Sequence, residues 1–383
     1  MARLGDICTI VSGSTPKSNI PEFWDGDIKW ITPAELDQGT YIINDSVRHI
    51  TELGVAKTGL KPFPQGTVIL SSRAPIGKTA IAGCEMYCNQ GFKNLICSDK
   101  INPRYLYWFL TCNTEYLNSL GRGATFKEIS KEIVANIEIP LPTLEQQISI
   151  AEKFEKVREL IALRKEQLAK LDQLVKSRFI ELFGDPVQNP FKWDTKPLLE
   201  MGYCKNGMNF HTGDSGIEMH CLGVGDFKDH SVIDGTAHLP TISLNKTPPA
   251  ESMLQNGDIV FVRSNGNKAL VGRCLVVYPH DTPTTYSGFC IRYRLTSDEI
   301  KTAYLLRVLK TESIRKKMAG RGANIQNLNQ QILASLDIPI PPMEIQEQFT
   351  AFVKQTDKSK LAIQWSLNKL ELLKKALMQE YFG

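Results

Sequence analysis

The stretch GRGATFKEISKEIVANIEIPLPTLEQQ, residues 121–147, is answered 199 residues later by GRGANIQNLNQQILASLDIPIPPMEIQ, residues 320–346. Each runs on without a gap into a long helical stretch, ending in ELFG at 181–184 and EYFG at 380–383. Across these 64 aligned positions 19 residues are identical. Tyr105-Leu106 against Tyr304-Leu305 carries the match upstream at the same offset. Self-similarity at one fixed offset marks a chain written from a repeated unit. Further upstream the copies diverge, and only faint correspondences remain: Gly66-Thr67-Val68-Ile69 with Gly257-Asp258-Ile259-Val260, and Gln90-Gly91-Phe92 with Ser287-Gly288-Phe289. Each unit is thus a variable globular part followed by a better-matched helical part.

The globular parts read as β-rich α/β. Short apolar runs at 66–70, 259–262, 270–278 and 289–295 are bounded by Gly, Pro, Asn and Ser, as strands are. Residues 103–120 and 299–318 have helical spacing. Residues 137–142 and 336–342 read as a last strand closed by a proline corner, since proline ends a ladder and sets a turn. The helical parts carry a heptad seam. In the first copy it runs Ile150, Phe154, Val157, Ile161, Leu168, Leu171, Val175 and Leu182, with Arg164 and Arg178 at the skipped positions. In the second it runs Phe349, Val353, Thr356, Lys360, Ile363, Leu367, Leu370, Lys374, Leu377 and Tyr381. Alternating steps of four and three predict helices packed along their length, each of roughly 35 residues and about 50 Å. Neither seam is purely apolar, which leaves two readings: a solvent-tolerant helical hairpin, or helices with a second face for a partner. Gly184-Asp185-Pro186-Val187-Gln188-Asn189-Pro190 is a turn-rich linker between the copies.

Composition places few limits on function. The chain has 383 residues, 42% hydrophobic and 22% charged, with net charge +4. That falls short of the strongly basic footprint of many nucleic-acid binders. No apolar run is long enough to span a bilayer, and the N-terminus lacks a signal-peptide pattern. The nine cysteines are scattered, which predicts reduced thiols in a cytoplasm.

Motifs for chemistry are missing. There is no Asn/Asp-Pro-Pro-aromatic motif for adenine methylation; Asn189-Pro190-Phe191 has one proline too few. There is no phosphate-binding G-x-x-x-x-G-K-[ST] loop. Asp27-Ile28-Lys29 and Asp226-Phe227-Lys228 resemble the end of a nuclease carboxylate–lysine motif, but neither has the upstream Pro-Asp. Cys84 and Cys88 lack a second ligand pair for zinc and read as buried thiols. His211, His220, His230 and His238 are clustered in sequence without interleaved cysteines or carboxylates, and read as a surface stretch.

The two proline corners IPLPTLEQQ and IPIPPMEIQ, each after a GRGA loop and before a long helix, together with the junction ELFGDPVQNPFKW, resemble DNA-specificity subunits of type I restriction–modification systems. The resemblance covers the whole chain. It implies an α/β (α+β) fold of two β-rich target-recognition domains joined by two long antiparallel coiled-coil helices in a pseudo-twofold repeat. The expected division is 1–143 for the first target-recognition domain, 144–184 for the first spacer helix, 185–342 for the second domain and 343–383 for the second helix. It further implies a non-catalytic subunit that reads a bipartite site on double-stranded DNA. Such a subunit binds two methylation subunits and two restriction/translocase subunits, with S-adenosylmethionine, ATP and Mg2+ bound by those partners. A stand-alone DNA-binding regulator, or the recognition part of a fused restriction–methylation enzyme, are the alternative readings.

Base edges are read by Arg, Lys, Asn and Gln, and phosphates by Arg, Lys, Ser, Thr and backbone N–H groups. The candidates in the first copy are Ser72, Arg73, Lys78, Asn89, Gln90 and Lys93. In the second they are Arg263, Asn265, Asn267, Lys268 and Arg273. Arg122 and Lys127 in the first Gly-Arg-Gly segment, and Arg321 and Asn324 in the second, complete the set. The arginines shared by both copies are assigned to phosphate or structure, and the differing residues to base reading. For each residue taken alone, a solvated surface side chain is the competing reading.

Overall fold

The computed structural model describes residues 1–37, 39–123, 127–210, 213–227, 231–319 and 327–383. The chain divides into two compact units, Met1–Glu166 with Gln364–Gly383, and Gln167–Ile363. The boundaries cut through the two long helices, so each helix contributes one part to each unit.

Both units repeat one topology. The first has a five-stranded sheet of β1 (Cys8–Ser12), β2 (Ile42–Ile43), β3 (Val68–Leu70), β4 (Thr79–Ala82) and β5 (Lys93–Cys97), in spatial order β1-β5-β3-β4-β2. The second has β6 (Gly202–Asn206), β7 (Val232–Asp234), β8 (Asp258–Val262), β9 (Cys274–Tyr278) and β10 (Cys290–Leu295), in order β6-β10-β8-β9-β7. In each sheet the last pair is parallel and the rest antiparallel. Each unit adds a three-stranded sheet, Arg48–Ile50, Trp24–Ile31 and Tyr87–Cys88 in one, Thr241–Leu244, Ile217–Leu222 and Thr284–Tyr286 in the other. A short antiparallel pair closes each: Ala2–Arg3 with Glu138–Ile139, and Thr195–Pro197 with Asp337–Pro339. The central strands β3 and β8 are buried along their whole length, which is why they read as unbroken apolar runs.

Three expected elements differ in extent. The run 270–278 becomes strand only from Cys274, because Gly272 takes φ +76° and belongs to the preceding turn. The expected helices 103–120 and 299–318 are each split, at Asn113 and Thr311.

The long helices are α1 (Leu144–Phe183) and α2 (Met343–Phe382), each of 40 residues. They run antiparallel in each unit. In the first, Lys165 faces Glu371 at 3.6 Å and Lys153 donates to the Tyr381 hydroxyl at 2.8 Å. In the second, Lys360 meets Asp172 at 2.5 Å and the Phe179 ring packs on Phe349. The predicted seam positions are all buried or half-buried. Towards its end, α1 shifts its buried face to Phe179 and Phe183.

Several residues shared by both copies join helix to globular part. Gln147 is fully buried: its Oε1 accepts from the Asn102 N–H (2.8 Å), and its Nε2 donates to the carbonyls of Lys100 (3.1 Å) and Pro142 (2.9 Å). Gln346 repeats the clamp on Lys301 N–H (2.8 Å), Glu299 O (3.0 Å) and Pro341 O (2.8 Å). The Tyr105 hydroxyl donates to Pro140 O at 2.9 Å, and that of Tyr304 to Pro339 O at 3.1 Å. The phenylalanine of each closing Phe-Gly is core. Phe382 stacks on Phe154 at 5.6 Å, and Phe183 lies 4.6 Å from Tyr304.

Met1 lines the same cleft as Glu380 and Tyr381, so it lies near the last turn of α2 within the first unit. Among the described residues no helix is long and apolar enough to cross a membrane.

Candidate nucleic-acid interface

The two polar clusters found in the sequence occupy the same place in the two topologies. Ser71–Lys78 closes hairpin β3–β4, and Val262, the last residue of β8, through Arg273 closes hairpin β8–β9. The backbone bonds at their bases correspond. Ser71 N–H donates to Lys78 O (2.8 Å), as Val262 N–H does to Arg273 O (2.8 Å). Gly77 N–H donates to Ser71 O (3.1 Å), as Gly272 N–H does to Val262 O (2.9 Å). Both glycines have left-handed φ, +92° and +76°, a backbone that L side chains resist. The segment after each Gly-Arg-Gly then returns to its hairpin. Ile129 N–H donates to Ser72 O (2.9 Å) and Leu328 N–H to Arg263 O (2.8 Å). Arg73 pairs antiparallel with Glu128, as Ser264 does with Asn327.

This register equates Ser72 with Arg263, and Arg73 with Ser264. It also corrects the sequence correspondence at Gln90-Gly91-Phe92. Ser72 N–H donates to Gly91 O (2.7 Å) and Arg263 N–H to Phe289 O (2.8 Å). The partner of Gly91 is therefore Phe289, and buried Phe92 matches buried Cys290. The alignment slipped by one because the turn before β10 differs in sequence.

In the first unit the cluster is organised around one carboxylate. Glu128 accepts from Arg73 Nε at 2.9 Å and from Lys93 Nζ at 3.2 Å. Partial burial pushes its pKa up, but the hydrogen bonds and charges of Arg73 and Lys93 outweigh that and hold the carboxyl below its ordinary value. Arg122 is exposed, and its backbone exchanges two hydrogen bonds with Glu128 (3.0 and 2.9 Å). Beside it opens a cleft of about 810 Å³ lined by Lys93, Arg122, Glu128, Lys131 and Asn136 among others. Lys127 is exposed.

Ser72 and Lys93 are drawn inward. Ser72 is fully buried and Lys93 is 7% exposed, with Lys93 Nζ donating to Ser72 Oγ at 3.3 Å. These two stand behind Arg73 and Glu128 rather than on the surface, because position 72 continues the buried strand β3. Lys78 is half-buried and its Nζ donates to Pro33 O at 3.1 Å. The Asn89 Oδ1 accepts from Gly91 N–H at 2.9 Å. Gln90 is exposed and bonded to the Thr15 hydroxyl.

In the second unit Arg263 is half-buried and its Nη1 donates to Gly288 O at 3.4 Å. Asn265 Oδ1 accepts from Asn267 N–H (2.8 Å) and Asn267 Oδ1 from Ala269 N–H (3.1 Å). These are turn-forming contacts typical of asparagine. Each oxygen retains a second lone pair, and each amide its N–H donors. Arg273 is half-buried at the hairpin base. The Lys268 backbone starts a 3-10 turn, Lys268–Leu270. The Lys268 side chain, together with Arg321, Asn324, His211, Lys228 and His230, lies outside the described residues.

Sequence reading missed Glu128, Asn327 and Phe289. The repeat alignment carried a signal for the first two, since Glu128 in one copy aligns with Asn327 in the other, a carboxylate with a neutral amide. Among the described residues no group of three or more His, Cys, Asp or Glu could hold a metal ion.

Two units of one topology, each with a differently furnished hairpin on a shared frame, make the chain an internal repeat of one domain type. The family model for the type I restriction modification DNA specificity domain matches residues 1–173 and 250–372. The chain belongs to this family, the DNA-specificity subunits of type I restriction–modification systems. The MjaIX specificity subunit of Methanocaldococcus jannaschii is 36% identical over 225 residues; the match covers 54% of this chain and 52%, about half, of that relative. The StySPI specificity subunit of Salmonella potsdam is 26% identical over 383 residues, covering 92% of this chain and 81% of the relative. Among solved structures, the S subunit from M. genitalium matches with TM-score 0.58 at 16% identity, covering 100% of this chain and 95% of that one. A chain from a study of complex assembly and conformational transition of the type I R-M system matches with TM-score 0.62 at 20% identity, covering 100% and 96%. These two likenesses concern the fold.

Proposed function

We propose that this specificity subunit reads a split site on double-stranded DNA, one half-site through each target-recognition domain, residues 1–143 and 185–342. The spacer helices, 144–184 and 343–383, would set the distance between half-sites. The observation that carries the reading is the pair of equivalent hairpins. Their backbone bonds are repeated, while the side chains they present differ: Arg73 held by Glu128 in one, Arg263, Asn265 and Asn267 in the other. Repeated geometry with changed side chains is what two readers of different sequence need, since base edges are discriminated by side-chain donors and acceptors. The exposed Arg122 suits a phosphate contact common to all sequences.

In this reading the chain does no bond chemistry and scaffolds two methylation and two restriction/translocase subunits in the cytoplasm. Those subunits would bind S-adenosylmethionine, ATP and Mg2+. The long helices, half-buried along part of their seams, offer such subunits a second face.

DNA binding by the assembled methylase complex tests the division of labour. Arg263→Ala is expected to relax one half-site only, by about five- to 150-fold, the worth of roughly 1–3 kcal/mol for a good base contact. Arg122→Ala and Arg321→Ala are expected to weaken all sequences alike and to flatten the salt slope by about one unit. An Arg263→Ala protein that loses affinity equally for cognate and altered sites would assign Arg263 to phosphate and remove the base-reading role.

A further inference from the structure

Phe289 is 61% exposed, yet its backbone is held on both sides. Its carbonyl accepts from the N–H groups of Arg263 (2.8 Å) and Ser264 (3.3 Å), and its own N–H donates to Ser287 Oγ (3.3 Å). Gly288 N–H donates to Met208 O at 2.7 Å, and a Cβ on Gly288 would fall 2.0 Å from Asn209 Oδ1, so the turn is closed against its neighbour. Single exposed apolar side chains are ordinary on protein surfaces. This one is set apart by its seat, because it stands on the turn that hydrogen-bonds the base of the polar hairpin loop. The equivalent position in the first unit is Gly91, which has no side chain to offer. An exposed phenyl ring on a hydrogen-bonded stretch of backbone therefore stands beside one hairpin and not beside the other.

We propose that Phe289 is a specificity-determining residue of the second half-site, contacting the C5-methyl group of a thymine in the major groove beside the base taken by Arg263. Of the groups on base edges in that groove, the thymine methyl is the apolar one, and phenylalanine is among the side chains that read it. Arg263, Asn265 and Asn267 lie on the hairpin loop whose base this turn hydrogen-bonds and carry edge-reading chemistry, which favours a ring meeting base edges over one stacked between bases. The proposal rests on the hairpins being the DNA-contacting surface.

The test uses the full chain assembled with its methylation subunits, on duplexes carrying the site located by methylation sequencing. Each thymine of the second half-site is replaced in turn by uracil, which removes only the methyl group. One such replacement is expected to weaken the wild-type complex about fourfold, the worth of one buried methyl. Phe289→Ala is expected to bind the unaltered site more weakly, to be indifferent to that replacement, and to respond to first half-site changes as the wild type does. Phe289→Leu is expected to keep most of the discrimination. The proposal is overturned if Phe289→Ala binds as tightly as wild type, if it remains sensitive to the same uracil, or if the half-site holds no thymine on either strand. A rise in 2-aminopurine fluorescence that depends on Phe289 would mark an inserted wedge and also overturn it. Arg263→Ala in the same assay separates the two levels. If it acts selectively on the second half-site while Phe289→Ala does nothing, the methyl contact alone fails; if neither acts selectively, the hairpin reading fails with it.

Discussion

Replacing Gln147 with methionine, which keeps the length and volume of the side chain, should loosen the joint between helix α1 and the globular part it follows. The substitution removes three hydrogen bonds, to Asn102 N–H, Lys100 O and Pro142 O. A hydrogen bond contributes about 1 kcal/mol net, and a buried donor left without a partner costs ~1–3 kcal/mol. Because Gln147 is fully buried, water does not readily replace it, and the expected loss is about 2–4 kcal/mol. Asn102 also caps the helix Pro103–Cys112, its Oδ1 accepting from the N–H groups of Arg104 (2.9 Å) and Tyr105 (3.4 Å). The loss should therefore spread into the first turn of that helix. Two compact units make a single unfolding curve hard to interpret, so the assay is hydrogen exchange of the native chain read peptide by peptide. Protection around residues 100–106 should fall by about tenfold for each ~1.4 kcal/mol lost through local opening. Gln346→Met should do the same around residues 299–305, since its three bonds have the same geometry. A change below about 0.5 kcal/mol in both would refute the view that the shared glutamines are structural clamps.

Asp258 accepts two bonds from Arg294 (both 2.8 Å) and one from Gln255 N–H (2.7 Å), with its side chain 1% exposed. Asp258→Ala should destabilise the second unit by about 3–5 kcal/mol, read by hydrogen exchange of peptides from that unit, because it leaves a largely buried guanidinium without its counter-charge. Glu128→Gln should leave Arg73 and Lys93 without their counter-charge, and the complex should then bind non-cognate DNA more tightly at low salt, with a salt slope steeper by about one unit. The folded-state pKa of Glu128 is depressed, so the stability it contributes is present above the unfolded value of about 4.3 and is lost as pH falls through the depressed folded value. Melting temperatures of wild type and Glu128→Gln should accordingly differ at neutral pH and converge only in acid.

The repeat, the helical seams and the family were legible in the sequence because helix packing and the proline corner constrain residues at fixed spacing. Gln147 with Gln346, Tyr105 with Tyr304, and Phe183 with Phe382 are shared because each fills one structural role twice. The reading domains were legible only as β-rich. The segments closing their hairpins differ in length, eight residues from Ser71 to Lys78 and twelve from Val262 to Arg273, so no constant offset relates them. A slip of one residue in a strand exchanges its two faces, which is why Phe289 looked like the counterpart of buried Phe92. Ser72 and Lys93 passed for surface groups because polarity alone does not reveal that Glu128 and each other satisfy them in the interior.

The most direct test of the central claim is to exchange residues 194–336 for the corresponding segment of another family member and to map the adenines methylated in a host carrying the complete system. A hybrid site is expected, in which the half read by the first domain is kept and the other half becomes that of the donor. A hybrid protein that assembles and methylates but leaves the second half-site unchanged, or that alters both halves, would contradict it.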